Sequence, residues 1–314
     1  MTKYFVTGGA GFIGSHLVDR LIREGNPVTV YDNLASGRKK DIEHHIGRVD
    51  FTFVEADLLD YRALTKAMKG NEVVWHLGAN TDIPTGNRVT DLDLRNCTVA
   101  TRNVLEAMRE NSIHDLLFAS SACVYGDAPV VALSESYGPL LPINLYGAAK
   151  LACEGLISAY CHLFGIRAWI FRFGNVVGAR MGHGVIYDFI QKLRKNPDEL
   201  EILGDGNQEK PFFLVEDCIE GMFCAYRNGG STCDIYNLGV DSVTRVSRIA
   251  EIVIEEMGLH NVRFKYTGGR QGWLGDAPVI HFDVDKMKAL GWQAKHTSDE
   301  AVREAVRRLL GEKG

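Results

Sequence analysis

The chain has no uninterrupted apolar run approaching the roughly 20 residues that a membrane-spanning helix requires, so no membrane span is expected. It has no excess of positive charge either. Thirty-five Lys and Arg stand against 40 Asp and Glu, giving a formal net charge of -5 and a pI near 6.1. No footprint for nucleic acid or anionic lipid follows from that balance, and any anion must be held by local groups. CxxC spacing is absent. The seven cysteines, at 97, 123, 153, 161, 218, 224 and 233, are odd in number and read as reduced thiols. The adjacent pair His44-His45 has no cysteine or carboxylate in metal-type spacing around it, so no metal site is expected. Repeats, low-complexity tracts and flexible linkers are also lacking, which favours two closely apposed lobes. The first apolar strand starts at Tyr4 and leaves no room for a secretory leader, so a cytoplasmic location is expected.

What is present begins with Thr7-Gly8-Gly9-Ala10-Gly11-Phe12-Ile13-Gly14, between the apolar strand Tyr4-Phe5-Val6 and an amphipathic run from Ser15 to Ile22. Glycines at 8, 11 and 14 let the chain turn tightly, let bare backbone approach a pyrophosphate, and let the helix pack close to the sheet. Backbone N–H groups at the helix N-terminus then face the phosphate charge. A second strand, Val28 to Tyr31, ends in Asp32, where a carboxylate is expected to reach an adenosine ribose hydroxyl.

Strand and helix alternate onward: a strand near Asp50–Val54, a helix near Tyr61–Met68, a strand at Val73–Leu77, and a long helix over Asp93–Glu110. Val99, Val104, Leu105 and Met108 are expected on one side of that long helix. A strand from Asp115 to Ala119 ends in Ser120-Ser121, and a helix over Leu145–Phe164 precedes a strand at Arg167–Arg172. Alternation of this kind predicts an α/β fold with a doubly wound parallel sheet. After Gly174 the rhythm changes. A helix over Val185–Arg194, a short strand at Glu201–Leu203, a helix starting near Glu216 and a strand at Asp234–Leu238 returning to the main sheet are expected. Two further helices follow, the last opened by the capping box Thr297/Glu300. Residues 1–174, completed by about 212–242, read as a dinucleotide-binding domain; 175–211 and 243–314 read as a smaller substrate lobe.

Tyr146-Gly147-Ala148-Ala149-Lys150 puts a phenol and an ammonium on one helix face. A free tyrosine titrates near 10. A neighbouring ammonium and a positive nicotinamide ring both favour phenolate. Ser121, at a strand's C-terminal end, adds a hydroxyl where open α/β sheets bind ligands. A hydride acceptor, a tuned phenol and a hydroxyl together describe alcohol–carbonyl redox chemistry.

These motifs, with Asp57-Leu58, His76-Leu77-Gly78-Ala79, Ser120 to Gly126, Arg172 to Gly178 and Gly204 to Asp217, resemble the extended short-chain dehydrogenase/reductase family. Within that family they resemble the nucleotide-sugar 4-epimerases over nearly the whole chain. The resemblance implies a Rossmann-type sheet, a tightly held NAD, a UDP-sugar substrate and a homodimer. Gly8, Gly11, Phe12, Ile13 and Gly14 match the pyrophosphate loop. Asp32 and Asn33 match the adenosine-ribose contacts, with Ser36 and Gly37 in the loop that follows. Asp57 and Leu58 match the adenine contact, although Asp57 also reads as a helix cap. Leu77, Ala79, Tyr146 and Lys150 match positions along the cofactor, and Tyr146, Lys150 and Ser121 match the catalytic set.

On the substrate side, Ser121, Tyr146, Asn175, Val185, Leu203, Lys210, Phe212, Arg270 and Asp276 match positions around the nucleotide sugar. Lys210 stands where relatives commonly have an arginine. Trp273 replaces the usual arginine near Gly275-Asp276, leaving Arg270 three residues earlier, and Phe173-Gly174 replaces a Tyr-Phe pair. The dimer seam is expected on helices 93–110 and 145–164, where Leu151, Leu156, Ile157 and Leu163 serve either the seam or the protein's own core.

The resemblance implies 4-epimerisation of UDP-glucose/UDP-galactose through a transient 4-keto sugar. Dehydratases carry an acid pair just after the strand-end hydroxyl, and decarboxylases usually carry glutamate at the second position. Here those positions are Ala122 and Cys123, so elimination lacks its acid/base partners. Alternatives are a 4-epimerase of UDP-glucuronate or a UDP-N-acetylhexosamine, a dehydratase or decarboxylase, and a non-catalytic dinucleotide sensor.

Overall fold

In the computed structural model, which describes residues 1–129 and 131–311, the central strands are buried on both faces, as a sheet covered by helices on each side requires. β1 (Tyr4–Thr7) and β4 (Val73–His76) are buried along their whole length, and β5 (Asp115–Ser121) is buried up to Ser121. β2 (Val28–Asp32) and β3 (Phe51–Glu55) complete the first half. α1 (Phe12–Arg23), α2 (Tyr61–Met68), α3 (Ile83–Arg88), α4 (Ala100–Glu110) and α5 (Leu145–Phe164) are the helices interspersed with these strands and following them.

Seven strands form one sheet in the order Cys233–Leu238, Arg167–Phe173, β5, β4, β1, β2, β3. The pairs β1·β2, β2·β3, β1·β4 and β4·β5 are parallel. The fold is thus the expected Rossmann-type doubly wound α/β sheet. Chain order runs outward from β1 in one direction and from β4 in the other. The crevice at the carboxyl ends of β1 and β4 is therefore the switch point where such sheets bind ligands.

The chain divides into two compact units. Met1–Val124, Asn144–Arg172 and Met222–Tyr236 make the first; Tyr125–Ile143, Phe173–Gly221 and Asn237–Gly314 make the second. The second therefore takes in Tyr125–Ile143, which the sequence reading grouped with residues 1–174. Pairing of Ala132–Leu133 with His281–Phe282 and the bond from Asn237 Nδ2 to Leu133 O (2.7 Å) draw that segment over. Within the second unit, Asn175–Val177 pairs in parallel with Phe212–Leu214, and Glu199–Ile202 with Arg263–Tyr266. The helices at Val185–Lys195, Val246–Glu256 and Ser298–Gly311 pack around these pairs. Thr297 and Glu300 close their capping box, with the Thr297 N–H donating to Glu300 Oε2 at 2.8 Å.

Two local expectations are corrected, and one left open between two roles is narrowed. The helix expected over 93–110 opens with π-helical turns at Leu94–Val99, and the wider turn rotates Val99 out to 41% exposure while Val104, Leu105 and Met108 stay fully buried. Ile157 belongs to the unit's own core and Leu156 packs against it, whereas Leu163 is exposed. The strand expected at Glu201–Leu203 lies at Glu199–Ile202, so Leu203 falls beyond its end and is exposed.

Candidate active site

The glycine turn is built by contacts that leave no space for side chains. Gly8 adopts φ +68°, and a Cβ there would meet Gly78 N at 2.7 Å. A Cβ on Gly14 would lie 2.1 Å from Gly8 O. The Gly11 N–H donates to Gly8 O (3.1 Å), closing the turn. The first bond that follows runs from the Ser15 N–H to Gly11 O at 2.9 Å, so the N–H groups of Phe12, Ile13 and Gly14 precede it. No side chain caps α1, and its first turn carries no acid. This is a cradle of bare N–H groups at a helix N-terminus, and it fits a dinucleotide pyrophosphate.

Asp32 ends β2 next to this turn and is buried. Its Oδ2 accepts the Ala10 N–H (3.0 Å) and its Oδ1 accepts the Leu34 N–H (2.8 Å). Burial raises its pKa, and these two bonds oppose the rise. A carboxylate offers about four lone-pair sites, so Asp32 can organise the turn and still accept a ribose hydroxyl. Asn33 Nδ2 donates to Asp57 Oδ2 (2.9 Å), joining two of the expected adenosine-side residues. Asp57 is not the cap of α2: Asp60 fills that role through the Ala63 N–H, while Asp57 accepts from the Leu59 N–H. Ser36 is exposed, and the adjoining Arg38 N–H donates to Ala10 O (2.8 Å), which ties the loop of Ser36 and Gly37 to the turn.

At the end of β4, the Leu77 N–H donates to Thr7 O and the Gly78 N–H to Thr7 Oγ1, at 3.2 and 3.1 Å. Leu58 packs toward Gly78, and Ala79 is half-buried. The expected cofactor residues of the first unit therefore gather around the carboxyl ends of β1, β2 and β4. His76, which the sequence reading quoted without a role, joins Thr7 Oγ1 (2.7 Å) to Thr101 Oγ1 (3.0 Å). Burial, helped by the Lys150 charge, holds its pKa down at about 3.

Ser121, Tyr146 and Lys150 come together at the end of β5 and the start of α5. Asn144 caps α5 by accepting the Gly147 N–H at 2.7 Å. Gly147 is required because a Cβ there would lie 2.5 Å from Cys123 O. Ser121 Oγ accepts the Cys123 N–H (3.1 Å), and the Ser121 side chain lies beside the Tyr146 phenol. Lys150 Nζ donates to Ala119 O (2.6 Å), 4.8 Å from the Phe118 ring centroid and 5.7 Å from that of Tyr146. The expectation that the ammonium brings the phenol toward neutrality is not met in this geometry. Burial lifts the Tyr146 phenol well above its ordinary value, with the Cys97 and Cys123 thiols adding to the rise and Ser121 opposing it.

Beneath this set lies a buried ion pair absent from the sequence reading. Glu154, four residues past Lys150, receives Arg172 Nη2 at 2.7 Å and the Ser120 hydroxyl at 2.5 Å. The spacing Tyr146, Lys150, Glu154 was a visible signal of a shared helix face. Asp93 was also missed; it is buried and accepts from Asn80 Nδ2 (2.8 Å).

In the second unit, Lys210 and Asp276 meet as an ion pair (2.7 Å), and Lys210 also donates to Ala277 O. Arg270 lies on the surface and pairs with Asp127 at 2.9 Å. Asn175 is exposed beside Phe212 in the paired strands, Phe212 is buried, and Val185 is half-buried at the start of its helix.

A family model described as "NAD dependent epimerase/dehydratase family" matches residues 4–239. A relative described as a putative UDP-glucose 4-epimerase from Methanocaldococcus jannaschii is 35% identical over 311 residues, covering 96% of each chain. A crystal structure of a UDP-galactose 4-epimerase superposes with a TM-score of 0.88 at 38% identity, covering 98% of this chain and 99% of the other. The Thermus thermophilus UDP-glucose 4-epimerase, solved in complex with NAD, gives a TM-score of 0.87 at 29% identity over 99% of both.

Proposed function

The chain belongs to the NAD-dependent epimerase/dehydratase family, and from that premise we propose that it is a 4-epimerase of a UDP-hexose, with UDP-glucose and UDP-galactose as the exchanged pair. The observation that carries this reading is the gathering of Ser121, Tyr146 and Lys150 where β5 ends and α5 begins, with Ala122 and Cys123 following where elimination would require acids. The names of the relatives point the same way.

Gly8, Gly11, Phe12, Ile13 and Gly14 hold the pyrophosphate, Asp32 the adenosine ribose, and Asp57 with Leu58 the adenine. Asp32 repels a 2′-phosphate and so favours NAD over its phosphorylated form. When bound, NAD would supply the acceptor, and later the donor, of the hydride at sugar carbon four, with no net oxidation. Tyr146 takes the proton of the 4-hydroxyl, directly or through Ser121, and returns it to the other epimer by way of a 4-keto sugar. Lys150 positions the cofactor ribose. Asn175, Val185, Leu203, Lys210, Phe212, Arg270 and Asp276 hold the UDP portion. We assign the chain to a homodimer in the cytoplasm, its seam including the exposed Leu163. A second reading, UDP-glucuronate or a UDP-N-acetylhexosamine, is favoured by the small side chains of Ala122 and Cys123, which leave room beside the sugar.

Incubation with a panel of UDP-sugars and product identification by NMR separates these substrates. Tyr146→Phe is expected to keep its bound dinucleotide and lose about 10²–10⁴-fold in turnover. Near-normal turnover would remove Tyr146 from the mechanism.

A further inference from the structure

The fold gathers a second set of donors in the first unit, away from the residues assigned to cofactor and sugar. Asp19 lies on α1, and His44 and His45 form the short 3₁₀ turn Glu43–His45 in the connection between β2 and β3. Both imidazoles aim Nε2 at the same atom, Asp19 Oδ1, at 2.8 Å from His44 and 2.7 Å from His45. The two rings lie 4.0 Å apart, and the three donor atoms all fall within 4.8 Å of one another. No metal was expected here because no cysteine or carboxylate stands in metal-type spacing around the pair; Asp19 lies 25 residues upstream of His44.

We propose that Asp19, His44 and His45 bind one zinc-class divalent ion. Zinc takes imidazole nitrogen and carboxylate oxygen at about 2.0–2.2 Å, which spaces tetrahedral ligands by roughly 3.3 Å. The two imidazole–carboxylate separations, 2.8 and 2.7 Å, are shorter than this, so outward movement of the rings converts two hydrogen bonds to a shared oxygen into three metal–ligand bonds. Each histidine coordinates through the Nε2 lone pair, with its proton on Nδ1. His45 is buried and packs on Phe51 (5.4 Å between centroids), so its ring is already oriented. His44 is exposed, leaving the fourth position to water. Two imidazoles and one carboxylate suit zinc, copper(II) or nickel, and do not suit calcium or magnesium, which take oxygen donors. The ion joins α1, which carries the glycine turn, to the connection that carries Ser36 and Gly37.

The test uses the full chain after chelator treatment, titrated with zinc chloride by calorimetry and with cobalt(II) chloride by visible absorption. One ion per chain is expected, with a cobalt spectrum of nitrogen and oxygen ligation and a melting temperature raised by zinc. Asp19→Asn keeps an oxygen acceptor for both imidazoles, and His44→Gln alters an exposed side chain, so both variants retain the fold. Each is expected to weaken zinc by roughly tenfold or more. Absence of a stoichiometric ion, or unchanged affinity in both variants, would leave the cluster as a hydrogen-bonded anchor and overturn the proposal. A thiolate-to-cobalt absorption band would do the same by placing the ion on a cysteine. None of these readouts depends on which sugar, if any, the enzyme converts.

Discussion

Gly14 and Gly155 both sit inside helices, and the structure assigns opposite signs to their replacement by alanine. In a helix, Gly→Ala ordinarily stabilises by about 0.5–1 kcal/mol through lost freedom in the unfolded chain. At Gly155, in α5, a Cβ meets nothing within 4 Å, so Gly155→Ala should show that gain in full. At Gly14 a Cβ would lie 2.1 Å from Gly8 O, 2.8 Å from Gly9 Cα and 2.9 Å from Gly8 C, against the 3.0 Å below which real Cβ contacts are essentially never found. All three atoms are backbone, so no rotamer change relieves the clash. Overpacking of this kind costs about 1–3 kcal/mol. Net of the propensity gain, Gly14→Ala should destabilise by up to about 2.5 kcal/mol, toward the upper end because the 2.1 Å approach is to backbone.

The larger effect falls on the cofactor. Gly8 O accepts the Gly11 N–H, so pushing it away opens the turn and swings the N–H groups of Phe12, Ile13 and Gly14 off the pyrophosphate. Loss of a single hydrogen bond to a charged group costs about 1.5–3 kcal/mol, or roughly tenfold to a hundredfold in NAD affinity. Urea denaturation of the cofactor-free proteins and calorimetric titration with NAD read the two effects separately. A Gly14→Ala protein as stable as Gly155→Ala, with NAD affinity within about twofold of the parent, would refute the assignment of this turn to the pyrophosphate.

Two further outcomes follow from buried charge. The His76 pKa is depressed to about 3 against an unfolded value of 6.5. Its contribution is therefore complete above pH 6.5 and is lost as pH falls toward 3, amounting to at most about 4–5 kcal/mol. Denaturation from pH 7 to pH 4 should show a steeper loss in the parent than in His76→Asn; equal slopes would mean that His76 takes up its proton in the folded protein. For the buried Glu154–Arg172 pair, Glu154→Gln should cost about 3–5 kcal/mol in urea unfolding. The double change Glu154→Leu with Arg172→Met should cost less than Glu154→Leu alone, and simple additivity would show that the two charges do not depend on each other.

The parts of the fold that were legible in sequence are those with local signatures. The helices at Tyr61–Met68 and Leu145–Phe164 were readable at both ends because Asp60 and Asn144 cap them and Gly165 ends the second in a left-handed conformation. The glycine turn, Asp32 and the Ser121–Tyr146–Lys150 set were readable because their spacing follows strand–helix geometry. What escaped depends on residues far apart in the chain or on altered helical period. Six π-helical residues at Leu94–Val99 shift the phase on which the placement of Val99 relied. Lys210 and Asp276, 66 residues apart, neutralise each other, and Arg270 meets Asp127 at a separation of 143, which no spacing announces. Asp19 reaches His44 and His45 only because α1 packs beside the β2–β3 connection.

The electrostatics of the sheet edge follow from burial more than from any pairwise attraction. Lys150 brings an ammonium into this region, and its hydrogen-bond partner is a neutral carbonyl, Ala119 O, rather than a carboxylate. Around it, desolvation holds neighbouring groups in their neutral forms: His76 is driven down, and Tyr146, Cys97 and Cys153 are driven up. A second cation beside the ammonium would add like-charge repulsion in a region of low polarisability. The positive potential of this edge comes from Lys150 and from the helix N-termini of α1 and α5, with the buried Asp93 carboxyl close enough to feel the Lys150 charge. Tyr146 stands in the first turn of α5, where the helix dipole favours an anion. Against that dipole and the Ser121 side chain, burial and the Cys97 and Cys123 thiols still dominate and hold the Tyr146 phenol in its neutral form.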